Sequence, residues 1–161
     1  MPRNRVRIIA LLRRLFCALL LGCCALTAAA SDSADALDLA RFRGKVVLVD
    51  FWASWCEPCR QSFPWLNAMQ DKYADRGLIV IGVNVDRERA AADRFLHDFP
   101  AQFQIVYDPA GTLAARYDLP GMPVSYVIGP NGDIVARHIG FRSGLRAQRE
   151  AEVQQLLEKT R

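Results

Sequence analysis

The sequence has only two histidines, and beyond its first thirty residues it has only two cysteines and no basic run. Its 10 glycines and 8 prolines are too few for a collagen-like or mucin-like chain. A hydrophobic content of 52% excludes a low-complexity disordered chain, and 161 residues suit one domain with its own core. The lack of a basic run argues against the phosphate contacts that nucleic-acid binding needs.

The first thirty residues differ from the rest in charge. They hold five arginines and no acidic residue, whereas the remainder holds 16 basic and 17 acidic residues. The net charge of +4 therefore comes from this segment and indicates targeting rather than a binding surface.

A twelve-residue apolar stretch, Leu15 to Leu26, follows the arginines, and small residues end at Ala30. This layout is typical of a secretory signal peptide, and the stretch is short for a spanning helix, which needs ~20 residues. Because Leu20 to Cys23 resembles a lipoprotein box, cleavage after Ala30, lipidation at Cys23 and an uncleaved anchor all stay open. Each places the domain outside the cytoplasm, in an oxidising compartment.

The rest of the chain predicts one α/β domain with a mixed sheet. We expect a signal or anchor over 1–30, a linker over 31–38 and the domain over 39–161. Apolar runs and turn residues predict strands at 45–52, 78–85, 103–107, 124–128 and 134–139. Helical spacing predicts a first helix that ends at Gly77, a second over 87–98 and a short third over 111–117. In the second helix, Ala91 and Phe95 should face inward. Ser143 should cap a last helix, whose inward residues are Leu145, Val153, Leu156 and Leu157.

Cys56 and Cys59 follow the first predicted strand and open the first helix. A helix N-terminus favours a thiolate at Cys56, and Pro58 suits the first helical turn because its missing N–H has no partner there. Cys59 lies one turn further on, within reach of a disulfide. This spacing predicts that Cys56 attacks a substrate disulfide and that Cys59 resolves the mixed disulfide.

Two other uses of the cysteine pair are less compatible with the sequence. A zinc site needs two more ligands, and the domain offers only the distant His97 and His138. Haem attachment needs a histidine directly after the second cysteine, where Arg60 stands. We therefore predict no metal site.

Residues 51–60, with the sequence FWASWCEPCR, resemble the TlpA/ResA-like branch of thioredoxin-fold disulfide oxidoreductases, which is the redoxin or AhpC/TSA-like branch. Residues 121–128, followed by Asn131-Gly132, resemble that branch's second signature, and the resemblance covers about residues 39–142. It implies a thioredoxin-like fold with an extra strand–helix insertion between residues 86 and 118.

The resemblance also implies roles for residues around the cysteines. Pro123 would be a cis-proline that faces them, which an X–Pro bond permits at low cost. The backbone of Met122 would pair with the substrate chain. Trp55, Glu57 and Pro58 would complete the substrate-binding surface, with Trp55 as an exposed aromatic contact.

Asp50 ends the first strand, where many members of the branch carry asparagine and thioredoxin itself carries aspartate. A carboxyl buried behind the cysteines has a raised pKa and can relay the proton of Cys59, so we place Asp50 in the catalytic set. The charge of Glu57 opposes thiolate formation at Cys56, which favours a reductant over a DsbA-type oxidant.

We therefore expect a monomeric, periplasmic thiol–disulfide oxidoreductase that serves cell redox homeostasis. The resemblance implies no small cofactor beyond the Cys56–Cys59 disulfide, and a membrane electron donor of the DsbD or CcdA type. It implies envelope substrates such as apocytochrome c, in cytochrome c maturation, or copper-site assembly proteins. The alternative is a copper-handling module of the same fold, although such chaperones use a C-x-x-x-C spacing.

Overall fold

The computed structural model describes residues 37–160. The predicted signal segment, with Ala30 and Cys23, lies outside these residues. Within 37–160, no helix combines the length and the apolar character that crossing a membrane requires.

Strands and helices follow one another in the order that the sequence predicts, and their bounds lie within a few residues of the predicted ones. The strands are β1 (Val46–Trp52), β2 (Leu78–Asn84), β3 (Gln104–Tyr107), β4 (Val124–Ile128) and β5 (Ile134–Ile139). The α-helices are α1 (Glu57–Tyr73), α2 (Arg89–Asp98), α3 (Thr112–Arg116) and α4 (Arg146–Lys159). Single 3-10 turns cover Leu39–Phe42, Ala74–Arg76 and Ser143–Leu145.

The five strands form one mixed sheet in the order β3-β2-β1-β4-β5. β1 pairs with β2 in parallel and with β4 antiparallel, and all seven of its residues are buried, as its continuous apolar run predicts. Because β1 is central, the chain that leaves its carboxyl end is held between β2 and β4. The candidate active site begins at that end.

Side chains from both faces of the sheet form separate cores. On one face, Trp52 of β1 packs with Phe63 of α1 and Phe95 of α2, and residues of α4 join the same cluster. On the other face, Phe51 packs with Tyr126 and with Leu113 of α3. The arrangement is the predicted thioredoxin-like fold, a mixed sheet between helices, with α2, β3 and α3 within the predicted insertion.

One prediction about a helix face and one about a helix cap are wrong. In α2 the buried residues are Ala92 and Phe95, which lie three positions apart on one face of the helix, whereas Ala91, beside that face, is partly exposed. Ser143 caps no helix: it opens a 3-10 turn, and no side chain caps the N-terminus of α4.

The buried face of α4 differs from the prediction as well. Val153 and Leu157 are buried as expected, but Leu145 is 39% exposed because it precedes the helix. The residue one turn before Val153 on the inward face is Arg149, which is 5% exposed. An arginine therefore takes the place of an apolar residue next to the sheet.

Candidate active site

Cys56 and Cys59 form a disulfide at the N-terminus of α1, after the loop that follows β1. Their Cα atoms are 5.3 Å apart, and Cys56 occupies the N-cap of α1 with extended backbone angles. Pro58 lies in the first turn of the helix, as predicted. Cys56 is 4% exposed and Cys59 is fully buried, so Cys56 is the sulfur that lies nearer to solvent.

Hydrogen bonds to a residue that follows β2 hold the loop between β1 and the disulfide in place. The buried carboxylate of Asp86 accepts hydrogen bonds from the backbone N of Ser54 at 2.8 Å and from its Oγ at 2.9 Å. Asn84 Nδ2 donates a third bond to the same carboxylate, at 2.7 Å. The sequence reasoning missed this anchor. Its signal is the pair of polar residues at the carboxyl end of β2, with Asn84 as the last residue of the strand and Asp86 two positions on, because parallel strands present their carboxyl ends at one edge of the sheet.

Asp50 is a buried carboxyl group on β1. It is 1% exposed and lies on the same face of β1 as Leu48 and Trp52, which belong to the core cluster that also contains Cys59. Burial raises the pKa of Asp50 to about 7, although the hydrogen bond from Ser125 and the charge of Arg149 both lower it. The sequence reasoning did not find Ser125, which pairs directly with Asp50 across β1 and β4.

The segment before β4 carries the predicted cis-proline. The Met122–Pro123 peptide bond is cis, Pro123 is buried, and its carbonyl oxygen accepts a hydrogen bond from Gly140 N at 2.7 Å. Met122 is half-buried and packs against the core cluster that contains both cysteines. The structure therefore brings the two sequence motifs together.

The residues predicted to meet a substrate are exposed around the disulfide. Trp55 is 68% exposed, and Glu57 and Pro58 are exposed at the start of α1. Arg60 Nη1 donates a 2.8 Å hydrogen bond to Glu57 Oε2, so a cation one turn away partly balances the charge of Glu57. Trp52, in contrast, is fully buried in the core.

A groove of about 280 Å³ lies beside this surface, between the loop before Cys56 and α2. Its lining combines two guanidinium groups with two phenyl rings and small or polar groups: Ser54, Arg60, Ala91, Arg94, Phe95, Asp98 and Phe99. A groove of this composition can accept an apolar or acidic side chain of a bound polypeptide.

The two histidines lie far from the cysteines in sequence. His97 is exposed on α2, and His138 is half-buried on β5 with its Nε2 2.9 Å from Glu152 Oε2. Within residues 37–160, no cluster of three or more histidine, cysteine, aspartate or glutamate side chains is arranged to hold a metal ion.

Comparison with known proteins gives a family and several relatives. The sequence model of the AhpC/TSA family matches residues 22–137. Thiol-disulfide oxidoreductase ResA of Oceanobacillus iheyensis is 31% identical over 98 residues, which are 61% of this chain and 51% of that protein. The chain thus spans about half the length of this curated relative.

Solved structures extend the similarity over more of the domain. A candidate thiol:disulfide interchange protein DsbE from Chlorobium tepidum is 44% identical, with a TM-score of 0.72 over 74% of this chain and 84% of that one. StoA from Bacillus subtilis shares the fold at 24% identity, with a TM-score of 0.59 over 68% of this chain and 82% of that one.

Proposed function

This chain belongs to the AhpC/TSA family, and from that premise we propose that it is a thiol–disulfide oxidoreductase that reduces disulfides in exported proteins. The observation that carries the proposal is the Cys56–Cys59 disulfide at the N-terminus of α1, with the buried carboxyl of Asp50 on the face of β1 that packs in the cluster of both cysteines. The names of the ResA and DsbE relatives agree with this chemistry.

The reaction starts from the reduced pair. The thiolate of Cys56 attacks one sulfur of a substrate disulfide, which forms a mixed disulfide and releases the other substrate sulfur as a thiolate. Cys59, once deprotonated, attacks the sulfur of Cys56, which forms the Cys56–Cys59 disulfide and releases the second substrate thiolate. Two electrons pass to the substrate, and the two substrate thiolates take up protons.

Asp50 supplies a base for the second step. Cys59 is buried, so its proton cannot pass directly to water, and Asp50 lies on the face of β1 whose residues Leu48 and Trp52 pack in the same cluster as Cys59. A carboxyl with a pKa of about 7 exchanges protons near neutral pH, which suits a group that accepts a proton and later returns it. We assign Asp50 the role of proton acceptor for Cys59.

The substrate surface follows from exposure. Trp55 offers a large apolar contact beside Cys56, and we propose that Glu57 and Pro58 complete this side of the surface. On the other side of the disulfide, Met122 precedes the cis-proline and offers its backbone to an extended substrate chain. A polypeptide can contact both sides, whereas a small thiol needs neither.

The direction of electron flow and the partners are further parts of the proposal. The charge of Glu57 disfavours the Cys56 thiolate, although Arg60 weakens that effect, and so the pair is a reductant rather than a strong oxidant. We propose a periplasmic location, delivered by residues 1–30, and a membrane electron donor of the DsbD or CcdA type. The substrates would be envelope proteins, such as apocytochrome c or copper-site assembly proteins.

An insulin-reduction assay with dithiothreitol tests the activity. We expect the wild-type chain to accelerate insulin reduction and Cys56→Ser to abolish the acceleration, because the attacking sulfur is gone. Arg142→Ala, an exposed change far from both sulfurs in sequence, serves as the matched control. Acceleration that survives in Cys56→Ser contradicts the proposal, and a reduction potential near that of DsbA contradicts the reductase direction.

Trapping identifies the partners. A Cys59→Ala variant expressed in the cell should accumulate mixed disulfides through Cys56, because the resolving thiol is missing. Captured envelope proteins support the proposed substrates, and an absence of captured proteins argues against Cys59 as the resolving thiol. Retention of one equivalent of Cu(I) by the reduced wild-type chain would favour the copper-handling alternative.

A further inference from the structure

Arg149 lies where an apolar side chain is expected. It is 5% exposed, on the face of α4 that carries Val153 and Leu157 toward the sheet. Arginine is rarely this buried unless its charge is paired with another group. Because α4 packs against β1, this face brings a guanidinium to the side of the sheet that carries Asp50.

The contacts of Arg149 link α4 to the cis-proline segment. Its Nη2 donates a 2.9 Å hydrogen bond to the carbonyl oxygen of Gly140, and Gly140 N in turn donates to the carbonyl oxygen of Pro123. The guanidinium carbon lies 5.9 Å from the ring centre of Phe141. One arginine is thus tied to the segment that flanks the disulfide.

Within residues 37–160, the other donors of Arg149 and one oxygen of Asp50 are buried without hydrogen-bond partners. These atoms are Nε and Nη1 of Arg149 and Oδ2 of Asp50. Burial lowers the pKa of Arg149, and the negative charge of Asp50 acts against that shift. Burial raises the pKa of Asp50, and the positive charge of Arg149 acts against that shift. Both groups are withdrawn from water, so solvent and salt screen this attraction weakly.

We propose that Arg149 is a positioning residue of the active site, whose buried guanidinium favours the carboxylate form of Asp50. Its chemical consequence rests on the proposed function: only the carboxylate can accept the proton of Cys59, so Arg149 extends that step toward lower pH. Burial alone would keep Asp50 protonated at neutral pH.

Three other groups bear on this pair. Ser125 on β4 donates a hydrogen bond to Asp50 and also favours its carboxylate. Glu152, one turn along α4, attracts Arg149 and so competes with Asp50 for its charge. Burial lowers the pKa of His138 on β5, Glu152 raises it and Arg149 lowers it further. The disulfide-bonded cysteines do not titrate, so in the oxidised protein no cysteine ionisation overlaps with that of Asp50.

The test is a carbon-13 NMR titration of the Asp50 carboxyl in the oxidised full-length chain. In Arg149→Met we expect the Asp50 midpoint to rise by about one pH unit, since a nearby cation is lost. Arg149→Lys should return the midpoint toward the wild-type value. Arg146→Met, which removes an exposed cation from the same helix, should leave it unchanged. An unchanged midpoint in folded Arg149→Met overturns the proposal.

A second measurement needs no variant at Arg149. In the wild-type chain, the nitrogen-15 resonance of Arg149 Nε should move with the Asp50 midpoint, and this movement should vanish in Asp50→Asn. A resonance that ignores the Asp50 titration overturns the proposal even if Arg149→Met fails to fold. Both titrations use the oxidised protein without turnover, so a failed insulin assay would reject the proposed function and leave this result intact.

Discussion

Ser125 Oγ donates a 2.6 Å hydrogen bond to Oδ1 of Asp50, and the two residues pair directly across β1 and β4. Both are buried, at 3% and 1% exposure. A hydrogen bond to a carboxylate favours its charged form, whereas burial favours the neutral form. The ionisation of Asp50 therefore depends on strand register as well as on depth.

Replacing Ser125 with alanine should raise the pKa of Asp50 further, because the hydrogen bond that lowers it is lost. The free energy of unfolding should fall by about 1–3 kcal/mol at pH 8, where a buried carboxylate is left without its donor, and by less at pH 5. Urea denaturation at the two pH values measures this difference. Ser143→Ala, at an exposed position, is the matched control, and an equal loss at both pH values would argue against the assignment.

Asp50 should make the protein less stable as the pH rises from about 4 to about 7. The unfolded carboxyl titrates near 3.8 and the folded one near 7, so the folded state binds the extra proton in between. Asp50→Asn removes this dependence. Relative to the difference at pH 4, the variant should gain up to about 4 kcal/mol over wild type at pH 8. Parallel stability curves for the two proteins across this range would contradict the raised pKa.

The strands that position the site could be predicted because the hydrophobic pattern that indicates each strand lies within its own residues. The apolar run from Val46 to Val49, which continues after Asp50, indicates a strand buried on both faces, and Asn131-Gly132 indicates the hairpin between β4 and β5. Cys56 could be singled out because it precedes a predicted helix, and Asp50 because it is a carboxyl within a predicted buried strand.

The polar partners of the site could not be predicted in the same way. Helical periodicity assigns a charged residue to solvent, so it cannot indicate that Arg149 is buried between α4 and the sheet. Ser125 meets Asp50 only because β4 pairs with β1 in one register, which local sequence does not determine. These contacts depend on segments far apart in the chain.

The Asp86 anchor predicts a measurable loss. Asp86→Ala removes three hydrogen bonds to a buried carboxylate, two of them from Ser54 in the loop that leads to Cys56. We expect the free energy of unfolding to fall by about 2–4 kcal/mol, and insulin reduction to slow because the loop is no longer fixed. Asp71→Ala, an exposed aspartate on α1, should change the stability by less than about 0.5 kcal/mol. A similar stability for both variants would show that the anchor contributes little.

A comparison of two substrates tests whether Trp55 contacts the partner or affects the sulfur chemistry. Its side chain is 68% exposed, so Trp55→Ala should change the free energy of unfolding by less than about 0.5 kcal/mol. Insulin reduction should slow by about tenfold or more, because a docking tryptophan contributes about 2 kcal/mol to binding. Reduction of a small aromatic disulfide, which needs no such contact, should keep its rate. Ile134→Ala, 53% exposed at the opposite end of the sheet, should leave both rates unchanged. If Trp55→Ala slows both substrates equally, Trp55 acts on the sulfur chemistry rather than on the partner.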